Sequence, residues 1–264
     1  MQAHHPTSLG EALAAVATGA RPLAGGTDLM VEVNFGHDRP DHVVGLRRVP
    51  ELKTWEGNRI GSAVTWRRIE RDGPNALAQA ARTVGSPQIR NAGTIGGNLA
   101  TASPAGDGHP FIAAVDASIE LVSQSGSRVV PWHEFFTGVK KTSIAPGELI
   151  ASVVLPAELP DRHEFGKVGV RSAMVISTVC AVVTRNPDGR TTVALGSVAP
   201  TPMRAVRAEQ MISSITTPST SDLDEFRRLV SEEVSPITDH RSTEEYRRHA
   251  AGTLARRLLE RCLR

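Results

Sequence analysis

Polar and apolar positions alternate with two different periods along this chain, and the changes of period mark its elements. Ser8-Leu9-Gly10-Glu11 has capping-box spacing and predicts a short helix through Ala12 to Val16. Arg21 to Ala24 reads as a strand running into Gly25-Gly26-Thr27-Asp28, and Leu29, Met30, Val31 and Val33 predict a helix starting there. With a strand over His42 to Leu46, the first fifty or so residues form a βαβ-like unit. Asn58 to Val64 is the next strand, and Ala76 to Val84 an alanine-rich helix. A glycine-dense segment, Gly85 to Gly108, is read as loop and leads to apolar Phe111 to Val115. Asp116 to Ser123 and Arg128 to Val130 predict a hairpin, Ile150 to Leu155 a strand, and Pro156 to Arg162 a linker. Ile176 to Thr184 and Thr191 to Val198 flank the turn Asn186-Pro187-Asp188-Gly189, a second hairpin. Leu223 to Val234 and Glu244 to Leu263 close the chain as helices, with a capping box expected at Ser242-Thr243-Glu244-Glu245. The ending is therefore a small α+β unit.

Composition narrows the function classes. A length of 264 residues, 40% hydrophobic and 22% charged, suits one or two globular domains. A net charge of +2 makes no basic stripe, and six Phe, three Trp and one Tyr give little for base stacking, so nucleic acid is not expected as a ligand. No apolar run approaches the roughly 20 residues of a membrane span, and no secretory leader is evident, so a cytoplasmic protein is expected. Cys180 and Cys262 are too few for an iron–sulfur cluster or a four-cysteine zinc site.

Two glycine-bearing segments carry the candidate chemistry. In Gly25-Gly26-Thr27-Asp28, paired glycines let backbone approach a ligand, and N–H groups before the helix can receive an anion. The motif is neither G-x-G-x-x-G nor a Walker loop. A tight turn with Asp28 capping the helix is the competing reading. The second segment runs Arg90 to Asn98 and on through Thr101 to Asp107, with small residues and hydroxyls suited to a diphosphate. A carboxylate repels phosphate, so Asp107 suits a sugar or ribityl hydroxyl; a solvated Asp107 in a structural loop is the alternative.

Leu23-Ala24-Gly25-Gly26-Thr27-Asp28-Leu29, Thr94-Ile95-Gly96-Gly97-Asn98 and Ser103-Pro104-Ala105-Gly106-Asp107, in this order, resemble the FAD-binding medium subunit of the molybdenum hydroxylases, the xanthine dehydrogenase and carbon monoxide dehydrogenase family. The likeness spans essentially the whole chain, from Pro6-Thr7-Ser8-Leu9 through Gly147 to Pro156 and Phe165 to Arg171. It implies an α+β fold: a two-subdomain FAD-binding region of the vanillyl-alcohol-oxidase (PCMH) type over 1–57 and 58–160, then a smaller α+β domain over 161–264. It also implies that Leu23, Ala24, Gly25, Gly26, Thr27, Asp28 and Leu29 wrap the FAD pyrophosphate. Thr94, Ile95, Gly96, Gly97 and Asn98 would form a second phosphate-facing loop, and Thr101 would also contact FAD. Asp107 would hold a cofactor hydroxyl, Ile150 would pack near the cofactor, and Lys167 would reach the flavin from the third domain. The implied partners are a molybdopterin-binding large subunit and a [2Fe–2S] small subunit, with electrons leaving FAD for an acceptor the sequence does not identify. Val84 and Met174 stand where some relatives carry an aromatic residue, and a cysteine-rich insertion is absent, so flavin alone is expected.

The remaining candidates point to structure. His4 and His5 lack a completing metal shell, and His109, His133 and His163 lack partners for a hydrolytic triad. Cys180 reads as a small buried hydrophobe, and Arg247, Arg248, Arg256, Arg257, Arg261 and Arg264 as a solvated helix face. No side-chain acid, base or nucleophile is assigned, since the cofactor carries the redox chemistry. Two other functions fit the residues: a stand-alone FAD oxidase or dehydrogenase, and a non-catalytic nucleotide-binding scaffold.

Overall fold

A computed structural model describes all 264 residues. The chain opens with β1 (Gln2–His4), α1 (Leu9–Ala17), β2 (Arg21–Leu23), α2 (Leu29–Asn34) and β3 (His42–Gly45). β3 lies between β1 and β2 and is parallel to both, the geometry expected of two helical crossovers. Ser8 caps α1 by accepting from Glu11 N, but the Glu11 carboxylate accepts from Thr7 N instead of the cap residue's N–H, so the box is shifted by one residue. Two 3₁₀ turns, Leu46–Arg48 and Pro50–Lys53, lead out of this sheet.

Next come β4 (Trp55–Glu56), β5 (Arg59–Gly61), α3 (Trp66–Asp72), α4 (Asn75–Thr83), α5 (Pro87–Ala92), α6 (Ile95–Thr101) and α7 (His109–Ala114). They are followed by β6 (Ser118–Ser123), β7 (Gly126–Pro131), α8 (Trp132–Phe135), β8 (Phe136–Gly138), β9 (Lys141–Thr142) and β10 (Leu149–Val154). β4, β5, β10, β6 and β7 form an antiparallel sheet in that order, so the strand latest in sequence sits at its centre. The glycine-dense segment read as loop holds two short helices. Ser86 caps α5 with Pro87 at its first position, and Thr94 caps α6, so hydroxyl caps and a fixed proline φ offset the low helix propensity of the glycines.

The last part contains β11 (Arg162–Val168), β12 (Val179–Arg185), β13 (Thr191–Gly196), β14 (Met203–Arg204), α9 (Val206–Ser213), α10 (Thr220–Glu233) and α11 (Glu244–Cys262). β11 to β14 pair antiparallel in sequence order. Every residue of β12 is buried because both of its faces are covered. Cys180 and Val182 join the core beneath the five-stranded sheet, whereas Val179, Ala181 and Val183 pack with α9 to α11. The cap of α11 is Thr243, which accepts from Tyr246 N; Ser242 N instead donates to Asp239. The arginines of α11 do not form one solvated face. Arg247 is buried, donating to the carbonyls of Thr178 and Ser197 and to Asp239, and Arg248 donates to the carbonyls of Ser231 and Val234 at the α10 terminus. The rotation of the helix decides this: Arg247 shares a face with buried Ala250, Ala251 and Leu258. No helix is long and apolar enough to cross a membrane.

Candidate functional site: a cradle of unpaired amides beside a buried ion pair

β2 delivers Leu23 into a turn that only glycine permits. A Cβ on Gly25 would lie 2.0 Å from the Ala92 carbonyl oxygen, and Gly26 has φ of +73°. The main-chain N–H groups of Ala24, Gly25, Gly26, Thr27, Asp28 and Leu29 find no acceptor within the chain. Five of these residues are half-buried and Asp28 is exposed, so the six donors are open to a ligand or to water, and their clustering suits an anion. Asp28 occupies the cap position of α2 without capping it; its Oδ2 lies 2.8 Å from the Thr101 hydroxyl, which also faces the Gly97 carbonyl at 3.0 Å. The two glycine segments are thus joined at Gly25–Ala92 and at Asp28–Thr101.

The second segment is built differently. Ile95 N donates to Val64 O, Gly96 N to Ser62 O, Gly97 N to the Thr94 hydroxyl and Asn98 N to Thr94 O. Its amides are taken up in holding α6 against Ser62 and Val64, just beyond the end of β5. Gly96 is required by that packing, since a Cβ there would meet Ser62 at 2.5 Å. Ile95 belongs to the core, whereas Gly97 and Asn98 are half-buried.

Asp107 is buried, and side chains from three separate segments converge on it, the Thr83 hydroxyl sharing its one proton between Asp107 and the nearer Ala80 carbonyl at 2.8 Å. Lys167 Nζ lies 2.5 Å from Oδ2, the Thr83 hydroxyl 3.0 Å from Oδ2, and the Ser177 hydroxyl 2.5 Å from Oδ1. A carboxylate accepts about four hydrogen bonds, so these contacts leave Asp107 a free acceptor position. Lys167, placed by β11 opposite Cys180, also faces the Thr83 carbonyl at 3.4 Å. Thr83 and Ser177 were not singled out from the sequence. Ser177 is one of two hydroxyl residues, with Thr178, that precede the apolar run of β12, and the sequence does not distinguish them.

His109 links the Asp107 turn to α6. Its ring fills the space beside Gly106, packs on Phe136 at 4.7 Å between centroids, and places Nε2 3.2 Å from the Asn98 carbonyl. Burial, only partly opposed by the Asn98 and Ser103 backbone groups, pushes its pKa down to about 4, so the ring is neutral and Nε2 donates. Ile150 is buried in β10 within the central core. Val84 ends α4, and Met174 is exposed with φ of +50°, in the segment joining Lys167 to Ser177.

The site thus combines a glycine cradle with free amides, a second segment packed against it, and a buried carboxylate held from the four-stranded sheet, an arrangement suited to a phosphorylated ligand that also carries hydroxyls. The chain belongs to the family of FAD binding domains in molybdopterin dehydrogenases, which matches residues 1–158; residues 165–262 match the CO dehydrogenase flavoprotein C-terminal domain. It is 31% identical to the xanthine dehydrogenase FAD-binding subunit of Escherichia coli O157:H7, covering 97% of this chain and 94% of that protein. It is 30% identical to the carbon monoxide dehydrogenase medium chain of Afipia carboxidovorans, covering 98% and 95%. Quinoline 2-oxidoreductase from Pseudomonas putida 86 contains a chain of the same fold, with a TM-score of 0.92, 25% identity, and coverage of 100% of this chain and 96% of that one.

Proposed function

We propose that this chain is the electron-transfer subunit of a heteromeric molybdenum hydroxylase, with a molybdopterin-binding large subunit and a [2Fe–2S] small subunit as partners. Bound FAD supplies the chemistry, taking electrons from the iron–sulfur partner and releasing them to an external acceptor. The chain's own residues bind and orient. The observation that carries the reading is the run of six unpaired N–H groups from Ala24 to Leu29, which suits a pyrophosphate. In this reading Leu23 and Ile150 border the cofactor, and Ile95 and Gly96 hold α6 in place beneath it. Thr94, Gly97, Asn98 and Thr101 face it, and the free acceptor position of Asp107 takes a cofactor hydroxyl. Lys167 keeps the Asp107 carboxylate oriented and borders the flavin. The division into 1–57, 58–160 and 161–264 belongs to the same proposal, supported by the separate three-, five- and four-stranded sheets, with β4 pairing to β5 across the first boundary. So does a cytoplasmic site of action, supported by two free thiols.

The test is purification of the full chain, a visible spectrum, and identification of the chromophore released on denaturation. FAD at near-equal stoichiometry, reduced on adding the iron–sulfur partner together with the large subunit and its substrate, is expected. A chain that neither retains nor takes up FAD, alone or with its partners, refutes the reading.

A further inference from the structure

The Arg90 guanidinium joins segments that the chain separates. Its Nε lies 3.0 Å from Glu70 Oε2 of α3, and its Nη1 donates to the carbonyls of Val84 and Gly85, at 3.3 and 3.2 Å, in the turn between α4 and α5. The two side chains are only 12% and 13% exposed, whereas Arg67 and Arg82, which also face Glu70, reach into solvent. None of the six residues of α5 is buried, so the apolar core does not fix this helix. Arg90 is the one side chain of α5 that hydrogen-bonds to another segment.

The segments so joined are two walls of the candidate site. On one side, Val84 follows Thr83, whose hydroxyl faces Asp107 at 3.0 Å and whose carbonyl faces Lys167 Nζ at 3.4 Å. On the other, α5 ends at Ala92, the residue whose carbonyl closes on Gly25 of the cradle. Gly85, with φ of +49°, is fitted to α5 as well, since a Cβ there would meet Ile89 at 2.7 Å.

We propose that Arg90, oriented by Glu70, is a positioning residue of the cofactor site: it sets the spacing between the Asp107 end and the glycine cradle, so that one FAD spans both. The inference rests on the functional reading above. A planar guanidinium presents N–H groups in fixed directions and holds a carboxylate and two carbonyls at once; an ammonium on a flexible stem does not reproduce that fork. A buried ion pair adds little stability over apolar residues of the same volume, and what this one contributes is a defined geometry.

The full chain is titrated with FAD by flavin fluorescence, and the visible circular dichroism of the bound flavin records how the ring is held. Arg90→Met and Arg90→Lys should both weaken FAD binding about tenfold or more and alter the visible dichroism, the lysine giving no rescue. Glu70→Gln, which keeps the shape and removes the charge, should give a smaller change in the same direction. Arg185→Met is the comparison: Arg185 is also buried and clamps the carbonyls of Gly189, Ile215 and Thr216, at the far end of β12 from Cys180. Its loss should lower the urea midpoint and leave FAD affinity and dichroism unchanged. Far-ultraviolet circular dichroism checks folding, and Glu70→Gln decides the matter if the Arg90 variants do not fold. FAD affinity within about twofold of the wild type, with unchanged visible dichroism, in the folded Arg90 variants or, failing those, in Glu70→Gln, overturns the inference and leaves the functional reading standing. An equal effect from Arg185→Met also overturns it, by showing a general loss of stability. A wild-type chain that takes up no FAD, alone or with its partners, overturns both.

Discussion

Replacing Lys167 with methionine should destabilise the FAD-free chain by about 3 kcal/mol. Asp107 and Lys167 are respectively 6% and 10% exposed, so the substitution leaves a carboxylate in a site that water scarcely reaches. Breaking a buried pair by removing one partner costs about 3–5 kcal/mol, and here the Ser177 hydroxyl continues to donate, which places the loss at the lower end. The bond spans 60 positions of sequence and joins the turn before α7 to β11, so the native state alone contains it. Urea denaturation of the wild type, Lys167→Met, Asp107→Asn and the double variant forms a mutant cycle. The double variant should lose less than the two single losses together, with a coupling of about 2 kcal/mol, because removing both charges leaves neither stranded. A Lys167→Met loss under about 1 kcal/mol, or strict additivity, would refute the view that the pair bonds the third sheet to the site.

The same geometry sets three more outcomes. Gly25→Ala forces the cradle off Ala92, since its Cβ would lie 2.0 Å from a carbonyl oxygen; flavin fluorescence titration should show FAD affinity reduced about tenfold or more while far-ultraviolet circular dichroism is preserved. Acidification should cost stability through His109, whose pKa falls from 6.5 to about 4 on burial in the folded chain. The unfolded chain binds a proton below 6.5 and the folded chain does not until about 4, so stability present above pH 6.5 is lost as pH falls through that window, by about 3 kcal/mol. Urea midpoints across pH 7 to 4 check this, and His109→Gln should flatten the dependence. Arg247→Met should cost about 2–4 kcal/mol in the same denaturation assay, because it removes the donor to the carbonyls of Thr178 and Ser197 and one of the partners of Asp239, which keeps Arg241.

Elements with a strong period were legible from the chain alone: the βαβ-like start and the hairpin before β8 stand close to where their patterns put them, whereas β12 begins three residues after Ile176 and α10 three residues before Leu223. Segments ruled by local capping were not. Gly85 to Gly108 reads as loop on composition, yet Ser86 and Thr94 each satisfy a helix-start amide and convert it into α5 and α6. The difference between the two glycine motifs was equally hidden, because both have the same small residues. Gly25 is glycine so that the cradle can approach Ala92 and keep its amides open, whereas Gly96 is glycine so that α6 can lie on Ser62 with its amides closed. Arg247 shows the limit of charge reading: its burial depends on which way α11 is rotated, which composition does not encode.

The position of Lys167 is set by the packing of the third sheet. β11 pairs with β12 so that Phe165 opposes Val182 and Lys167 opposes Cys180. Phe165, Val182 and Cys180 all enter the central core, and Lys167, two residues along from Phe165, must leave the strand on the same side. Gly166 points the other way, into α11, where a Cβ would meet Leu254 at 2.8 Å. A slip of one residue in this register would send Phe165 into the helical layer, bring a side chain against Leu254, and turn the lysine away from Asp107. The apolar alternation that seats the C-terminal sheet is therefore also what aims a cation at the buried carboxylate.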